Sequence, residues 1–131
     1  MTAIRERALI VEDCRTVAAL TKLFVQRQGF EVLVAADGLI GLEMARRELP
    51  RVILTDFYLP GMDGPDLVRA LRADAATRGI AVFMLTSEDC PARRGQAMDA
   101  GVDEYILKPW EPQRMAALLQ AVVSRTDGVR A

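Results

Sequence analysis

The sequence predicts a doubly wound α/β fold: a five-stranded parallel sheet with five helices on its two faces. Three observations carry that expectation. Apolar runs too short for helices recur along the chain, clearest at Ala8–Val11, Val52–Leu54 and Ile80–Leu85. Between them lie longer stretches in which apolar residues repeat at helical spacing or which open on proline. The joining loops are short, so strands follow one another in parallel, with right-handed crossovers laying each helix over the sheet.

Taken in order, residues 1–6 read as a polar lead-in and 7–11 as a buried strand ending in Glu12-Asp13. From Arg15 to Gln28, Val17, Leu20 and Phe24 recur at helical spacing, and Gly29 stops the helix. Valine-rich Glu31–Ala35 gives a second strand. Asp37-Gly38 leads into a helix over 38–48, ended by Pro50. The third strand passes through Val52–Leu54 to Thr55-Asp56, after which Leu59-Pro60-Gly61 and Asp63-Gly64 break regular structure. Pro65 sits in the first turn of a helix over 65–73 that turns Leu67 and Leu71 inward. Asp74–Gly79 is a polar loop, and Ile80–Leu85 a fourth strand ending in Thr86-Ser87. Pro91 opens a helix that stops near Gly101, and Tyr105–Leu107 is a fifth strand ending in Lys108-Pro109. Met115, Leu118, Leu119 and Val122 mark the inner face of a last helix over 112–125, and the tail from Thr126 is polar.

The 131 residues are expected to form a single domain, its core over 7–125 and a polar tail over 126–131. A chain of this size buries roughly two-thirds of its unfolded surface, enough for a core without disulfides. A net charge of −1 and arginines scattered along the chain give no basic patch, so no direct nucleic-acid partner is expected. No run is long enough to span a bilayer and no apolar leader precedes the first strand, so a cytoplasmic protein without membrane contact is expected. Cys14 and Cys90 fit a reducing compartment. Histidine is absent altogether, which excludes a histidine triad, a histidine-ligated metal centre and any phosphohistidine formed on this chain.

In a parallel sheet all carboxyl ends lie along one edge, where open α/β sheets place their ligands. Here that edge gathers Glu12 and Asp13 from strand one, Asp56 from strand three, Thr86 from strand four and Lys108 from strand five. Taken singly, Asp56 reads as a turn cap and Glu12 as a carboxylate favoured by a helix dipole. Together they read otherwise. Two carboxylates about 4 Å apart repel by about 4 kcal/mol at an effective dielectric near 20. Lys108 supplies one compensating charge, and the all-oxygen donor set calls for a hard divalent cation, with Mg²⁺ the best fit. The Thr86 hydroxyl and the Lys108 amine share a purpose only if an anion arrives, so the edge reads as a place where Asp56 accepts a phosphoryl group.

These motifs, Glu12-Asp13, the segment DFYLPGMDG around Asp56, Thr86 and Lys108-Pro109, resemble the receiver domain of two-component response regulators. The likeness covers about residues 7 to 125 and takes in stand-alone regulators of the chemotaxis type. It implies a flavodoxin-like fold with strand order 2-1-3-4-5. It implies that Asp56 is the phosphoacceptor, supplied by the phosphohistidine of a histidine kinase or histidine phosphotransfer protein. Glu12, Asp13, Asp56 and the backbone carbonyl of Tyr58 would hold Mg²⁺, while Thr86 and Lys108 bind the phosphoryl group. Thr86 would then swing toward that group and Tyr105 follow it inward as an aromatic switch. The motion would reset a surface formed by helix four, strand five and helix five for a downstream target protein. Lys108-Pro109 resembles the family's cis-proline junction. Such a protein is not a turnover enzyme, and a monomer or a weak phosphorylation-dependent dimer is expected.

Tyr58 is bulkier than the residue common at its place in receivers, and Ser87 replaces the usual Ala or Gly; with Glu88 they flank the expected phosphoryl group and are candidates for tuning its lifetime. Tyr105 also reads as plain packing with a wet hydroxyl, Asp63 as a turn or cap residue, and Trp110 as rim packing or partner surface. A Cys14–Cys90 bridge would have to cross two strand spacings, about 10 Å, where a disulfide needs about 7 Å or less. Taken as complete, the chain resembles a stand-alone signalling or relay receiver. It equally fits a receiver cut from a larger DNA-binding or hybrid-kinase regulator. An aspartyl-phosphate phosphatase acting on a small phosphoester would carry a second Asp where Tyr58 stands. A flavodoxin-like binding module would need a Gly/Ser/Thr-rich loop where Glu12-Asp13-Cys14-Arg15 stands.

Overall fold

A computed structural model describes residues 6–125; the lead-in before Glu6 and the tail from Thr126 lie outside the described residues. The elements alternate as β1 (Arg7–Val11), α1 (Arg15–Arg27), β2 (Glu31–Ala35), α2 (Gly38–Glu48), β3 (Val52–Asp56), α3 (Gly64–Ala73), β4 (Ala81–Thr86), α4 (Pro91–Ala100), β5 (Glu104–Leu107) and α5 (Pro112–Ser124). The strands form one parallel sheet in the order β2-β1-β3-β4-β5. Fold and order are those expected.

Both faces of the sheet are covered, which is why its central strands read as continuous apolar runs rather than alternating ones. Side chains alternate between the faces with period two. Leu9, Val11, Ile53, Val82 and Met84 pack with Leu42 and Ala45 of α2, Leu67, Val68 and Leu71 of α3, and Ala97 of α4. Ala8, Ile10, Val52, Leu54, Phe83 and Leu85 pack on the other face with Val25 of α1 and Met115, Leu119 and Val122 of α5.

Local chemistry sets the helix ends. Asp37 and Asp63 cap α2 and α3, their carboxylates accepting from Ile40 N at 2.7 Å and Asp66 N at 3.1 Å. Asp63 is thus the cap residue its turn context suggested. Pro50 cannot follow a helical residue comfortably, and Leu49 before it turns to φ +47° and ends α2.

One apolar stripe sits differently from the spacing that revealed its helix. On α1 the buried residues are Ala18, Thr21 and Val25, whereas Leu20 is 64% exposed. Val17 and Phe24 are only half-buried. The rotation follows from α1 approaching the sheet beside β1, where small Ala18 and Thr21 permit close contact.

Two arginines without any periodic signal tie the helices to the sheet. Arg72 of α3 donates to the carbonyls of Arg78, Ile80 and Gly101 and pairs with Asp103, whose Oδ2 also accepts from Val82 N. Arg51, before β3, donates from Nη2 to the Val122 and Arg125 carbonyls at 3.2 and 2.7 Å. It thereby satisfies carbonyls that the end of α5 would otherwise leave open.

Candidate functional site

The sheet register brings the expected residues to one edge. Val11 is level with Thr55, so Glu12 stands beside Asp56 at the ends of neighbouring strands. Asp56 is level with Leu85, and Thr86 is level with Leu107, one residue before Lys108. Lys108 therefore starts two strands away from Asp56 and reaches back across the end of β4.

Its ammonium ends between two carboxylates. Lys108 Nζ lies 3.1 Å from Glu12 Oε1 and 3.1 Å from Asp56 Oδ2. The Glu12 side chain is only 8% exposed and that of Asp56 18%. Burial alone pushes the Lys108 ammonium toward its neutral form, but the hydrogen bonds and charges of Asp56 and Glu12 outweigh it and hold its pKa above the ordinary value. The remaining carboxylate oxygens are held by the backbone: Asp56 Oδ1 accepts from Phe57 N at 2.7 Å and Glu12 Oε2 from Cys14 N at 3.1 Å. Glu12 therefore orders the start of α1 as well as facing the site. Asp13 is exposed beside them.

Around this centre, Thr86 is buried and its hydroxyl accepts from Glu88 N at 3.2 Å, while its carbonyl accepts from Lys108 N at 2.8 Å. Ser87 and Glu88 are exposed. The Lys108–Pro109 peptide is cis. Tyr105 was expected to move inward on activation; it already stands inward, 6% exposed, with its hydroxyl donating to the Glu88 carbonyl at 2.8 Å. Burial raises the pKa of that phenol. Tyr58 is 48% exposed, its ring tilted against Phe57 with centroids 4.8 Å apart. Trp110 packs edge-on against Phe24 at 4.9 Å, which joins the end of β5 to α1. Cys14 and Cys90 are free thiols.

Two contributors left no trace in the sequence. Arg93 Nε donates to the Tyr58 hydroxyl at 2.8 Å, and the Arg94 guanidinium lies 4.8 Å from the centre of the Tyr105 ring. Both arginines sit in a polar first turn of α4 that reads as a solvated helix face.

The donor set suits a hard cation. Glu12 and Asp56 direct oxygens to one positive centre, with Asp13 alongside. Among the described residues no three acids or thiols stand close enough together to grip an ion. The Lys108 ammonium stands between two of the acids that would hold a divalent ion.

Comparison with known proteins agrees with the fold. The family model of the response regulator receiver domain matches residues 8–120. The DNA-binding response regulator MtrA of Mycobacterium tuberculosis is 34% identical over 127 residues, 97% of this chain and 54% of its own. The chain thus spans about half the length of the curated relatives it matches. A putative response regulator from Chloroflexus aurantiacus superposes with a TM-score of 0.87 at 31% identity, over 93% of this chain and 100% of its own. The receiver domain of the Pseudomonas aeruginosa sensor histidine kinase PA1611, with magnesium coordinated in its active-site cleft, superposes at 0.85 with 27% identity, over 92% and 100%.

Fold and strand-end acids together define a phosphoacceptor of two-component signalling. The chain belongs to the response regulator receiver domain family. Receiver domains work with histidine kinases, bind Mg²⁺ in the active site and are typically signalling proteins rather than turnover enzymes. Among the described residues no helix is long and apolar enough to cross a membrane.

Proposed function

We propose that Asp56 takes a phosphoryl group from the phosphohistidine of a histidine kinase or histidine phosphotransfer protein, in the cytoplasm, and that residues 7–125 act as one switching unit. The observation that carries this reading is the Lys108 ammonium set 3.1 Å from both Asp56 and Glu12. A cation shared by two mostly buried carboxylates is a counter-charge that an incoming phosphoryl group can use.

Glu12, Asp13, Asp56 and the backbone carbonyl of Tyr58 would hold Mg²⁺. The ion's chemical contribution is to neutralise phosphoryl charge as the donor approaches. Asp56 Oδ2 attacks phosphorus in line, the P–N bond to the donor imidazole breaks, and its electron pair stays on the ring nitrogen. Lys108 leaves the carboxylate pair to bind one phosphoryl oxygen. Thr86 releases Glu88 N and donates its hydroxyl to another. Loss of the Thr86–Glu88 bond loosens the loop whose Glu88 carbonyl holds Tyr105. Rearrangement there alters the α4, β5 and α5 surface offered to a downstream protein. Tyr58, Ser87 and Glu88 border the acyl phosphate and set its lifetime.

Two settings suit this chemistry: a single-domain signalling or relay protein, monomeric or weakly dimeric when phosphorylated, and the receiver portion of a longer regulator. Relatives of both lengths match, the chain covering 54% of MtrA and 100% of the Chloroflexus aurantiacus chain. The DNA binding named for MtrA belongs to that whole protein. The test is intact mass after incubation with acetyl phosphate, with and without Mg²⁺, on wild type and Asp56→Ala. A Mg²⁺-dependent gain of one phosphoryl group, absent from the variant, is expected; no gain in the wild type overturns the reading.

A further inference from the structure

The protein has two tyrosines, Tyr58 and Tyr105, and consecutive arginines in the first turn of α4 reach one each. Tyr58 follows the phosphoacceptor by two residues, and Arg93 lies on the helix that follows the Thr86 loop. The 2.8 Å bond from Arg93 Nε to the Tyr58 hydroxyl therefore joins the loop after β3 to the first turn of α4, which follows the loop after the neighbouring strand β4. The Tyr58 ring rests on Phe57, and Phe57 N binds Asp56 Oδ1, so the tie connects to the acceptor carboxylate through a single residue.

Besides this tie, the start of α4 is held by the contact of Arg94 with the Tyr105 ring. The buried residues of the helix are Ala97 and Ala100, toward its far end, and Cys90 supplies no side-chain cap. That far end is fastened by Arg72, whose Nε and Nη2 both donate to the Gly101 carbonyl. Arg93 Nη1 leans on Gln96 Oε1 at 3.4 Å, which keeps the guanidinium from drifting along its own helix.

We propose that Arg93 is a positioning residue for the acyl phosphate: its grip on the Tyr58 hydroxyl holds that side chain across the mouth between the β3 and β4 loops and restricts water reaching phosphorylated Asp56. This rests on the phosphoacceptor reading of Asp56. The step it slows is hydrolysis. Water oxygen attacks phosphorus, the bond from phosphorus to the Asp56 oxygen breaks, its electron pair returns to the carboxylate, and inorganic phosphate leaves with the water's protons shared between it and solvent. Freed from Arg93, Tyr58 swings outward into solvent and the mouth opens.

The experiment loads the full chain with acetyl phosphate and Mg²⁺, removes the donor, and follows loss of the phosphoryl mass with time. Wild type is compared with Tyr58→Phe, Arg93→Ala, Arg93→Lys and the Tyr58→Phe/Arg93→Ala double variant, none of which removes a group placed on the reacting atoms. Each of the first two variants shortens the lifetime by roughly 3- to 10-fold, the range of one ordinary net hydrogen bond. The double variant is no shorter-lived than either, because both changes remove the same tie. Arg93→Lys, which retains a donor, recovers part of the lifetime. Hydrogen exchange rises over residues 91–95 and stays unchanged at Gly101. A wild-type lifetime in Tyr58→Phe, or single effects that multiply in the double variant, overturns the proposal while leaving phosphorylation intact. Absence of uptake in the wild type removes the phosphoacceptor reading, and the proposal with it.

Discussion

Arg72 on α3 and Gly101 at the end of α4 are joined by two hydrogen bonds, from Nε at 3.1 Å and Nη2 at 2.9 Å to one carbonyl oxygen. Gly101 has φ +111°, and a Cβ placed there would meet the Arg72 side chain at 2.9 Å, so only glycine admits this contact. The same guanidinium also binds the Ile80 carbonyl at 2.6 Å and Asp103, which makes it the joint between two loops at the amino end of the sheet.

Arg72→Ala removes the guanidinium donor from those carbonyls and from Asp103, which keeps its bond from Val82 N. The expected loss is about 2–4 kcal/mol of unfolding free energy, in the class of a broken, partly buried polar network. Urea unfolding at neutral pH measures it. A loss below about 0.5 kcal/mol, typical of surface changes, would show that water replaces the guanidinium at little cost.

Gly64 and Gly95 are predicted to respond to alanine with opposite signs. A Cβ on Gly64 would lie 2.5 Å from the Asp56 carbonyl oxygen and 2.8 Å from Met84 Cε, so Gly64→Ala forces the acceptor backbone to move. It costs about 1–3 kcal/mol, as overpacking does, and slows phosphoryl uptake. A Cβ on Gly95, within α4, meets nothing within 4 Å. Gly95→Ala should stabilise by about 0.5–1 kcal/mol. Thermal unfolding of the two variants side by side settles both signs.

Lys108 Nζ neutralises Glu12 and Asp56, two of the carboxylates proposed to hold the ion, so Lys108→Met should bind Mg²⁺ more tightly, by at least ~10-fold given charges about 4 Å apart at an effective dielectric near 20. Phosphoryl uptake should nonetheless slow, since the variant lacks the amine for the phosphoryl oxygen. Trp110, two residues away in sequence, offers the fluorescence signal for the titration. Equal Mg²⁺ affinity in both proteins would mean that the ammonium does not compete with the ion.

The same lysine gives a pH dependence. Asp56 and Glu12 raise its pKa above the unfolded value of about 10.4, so its protonation favours the fold fully below that pH. The benefit fades as pH rises through the higher folded value. Wild type is expected to lose stability above pH ~10.4 by a step that Lys108→Met lacks.

Tyr105→Phe keeps the buried ring but removes the 2.8 Å bond to the Glu88 carbonyl. A net cost of about 0.5–1.5 kcal/mol is expected, with faster amide exchange confined to residues 87–94. Exchange spread over the whole sheet would instead mark the hydroxyl as a general support of the fold.

The layers and the strand-end acids were legible because both obey short-range rules. Apolar runs between breakers give strands, and a parallel sheet sends every strand's last residue to one edge. Leu20 shows where periodicity stops: residues 17, 20 and 24 and residues 18, 21 and 25 are both helical stripes, and only the position of the sheet selects the second. Arg72, Arg93 and Arg94 show a second limit. A guanidinium that binds a carbonyl 29 residues away, or a tyrosine 35 residues away, has the same local sequence as one in water. The inward Tyr105 was open to expectation as a residue but not as a state, since its rotamer depends on the Glu88 carbonyl.

The thin footing of α4 sets the energy scale on which a docking protein must work. With Ala97 and Ala100 its buried side chains, a change in the helix's tilt would pull no large group from the core. A binding protein that covers about 100 Å² of apolar surface gains about 2.5 kcal/mol. Offered in only one of two helix positions, that surface shifts their ratio by roughly 70-fold. Recognition of this helix and its displacement therefore draw on energies of the same size, and a modest contact suffices to choose between them.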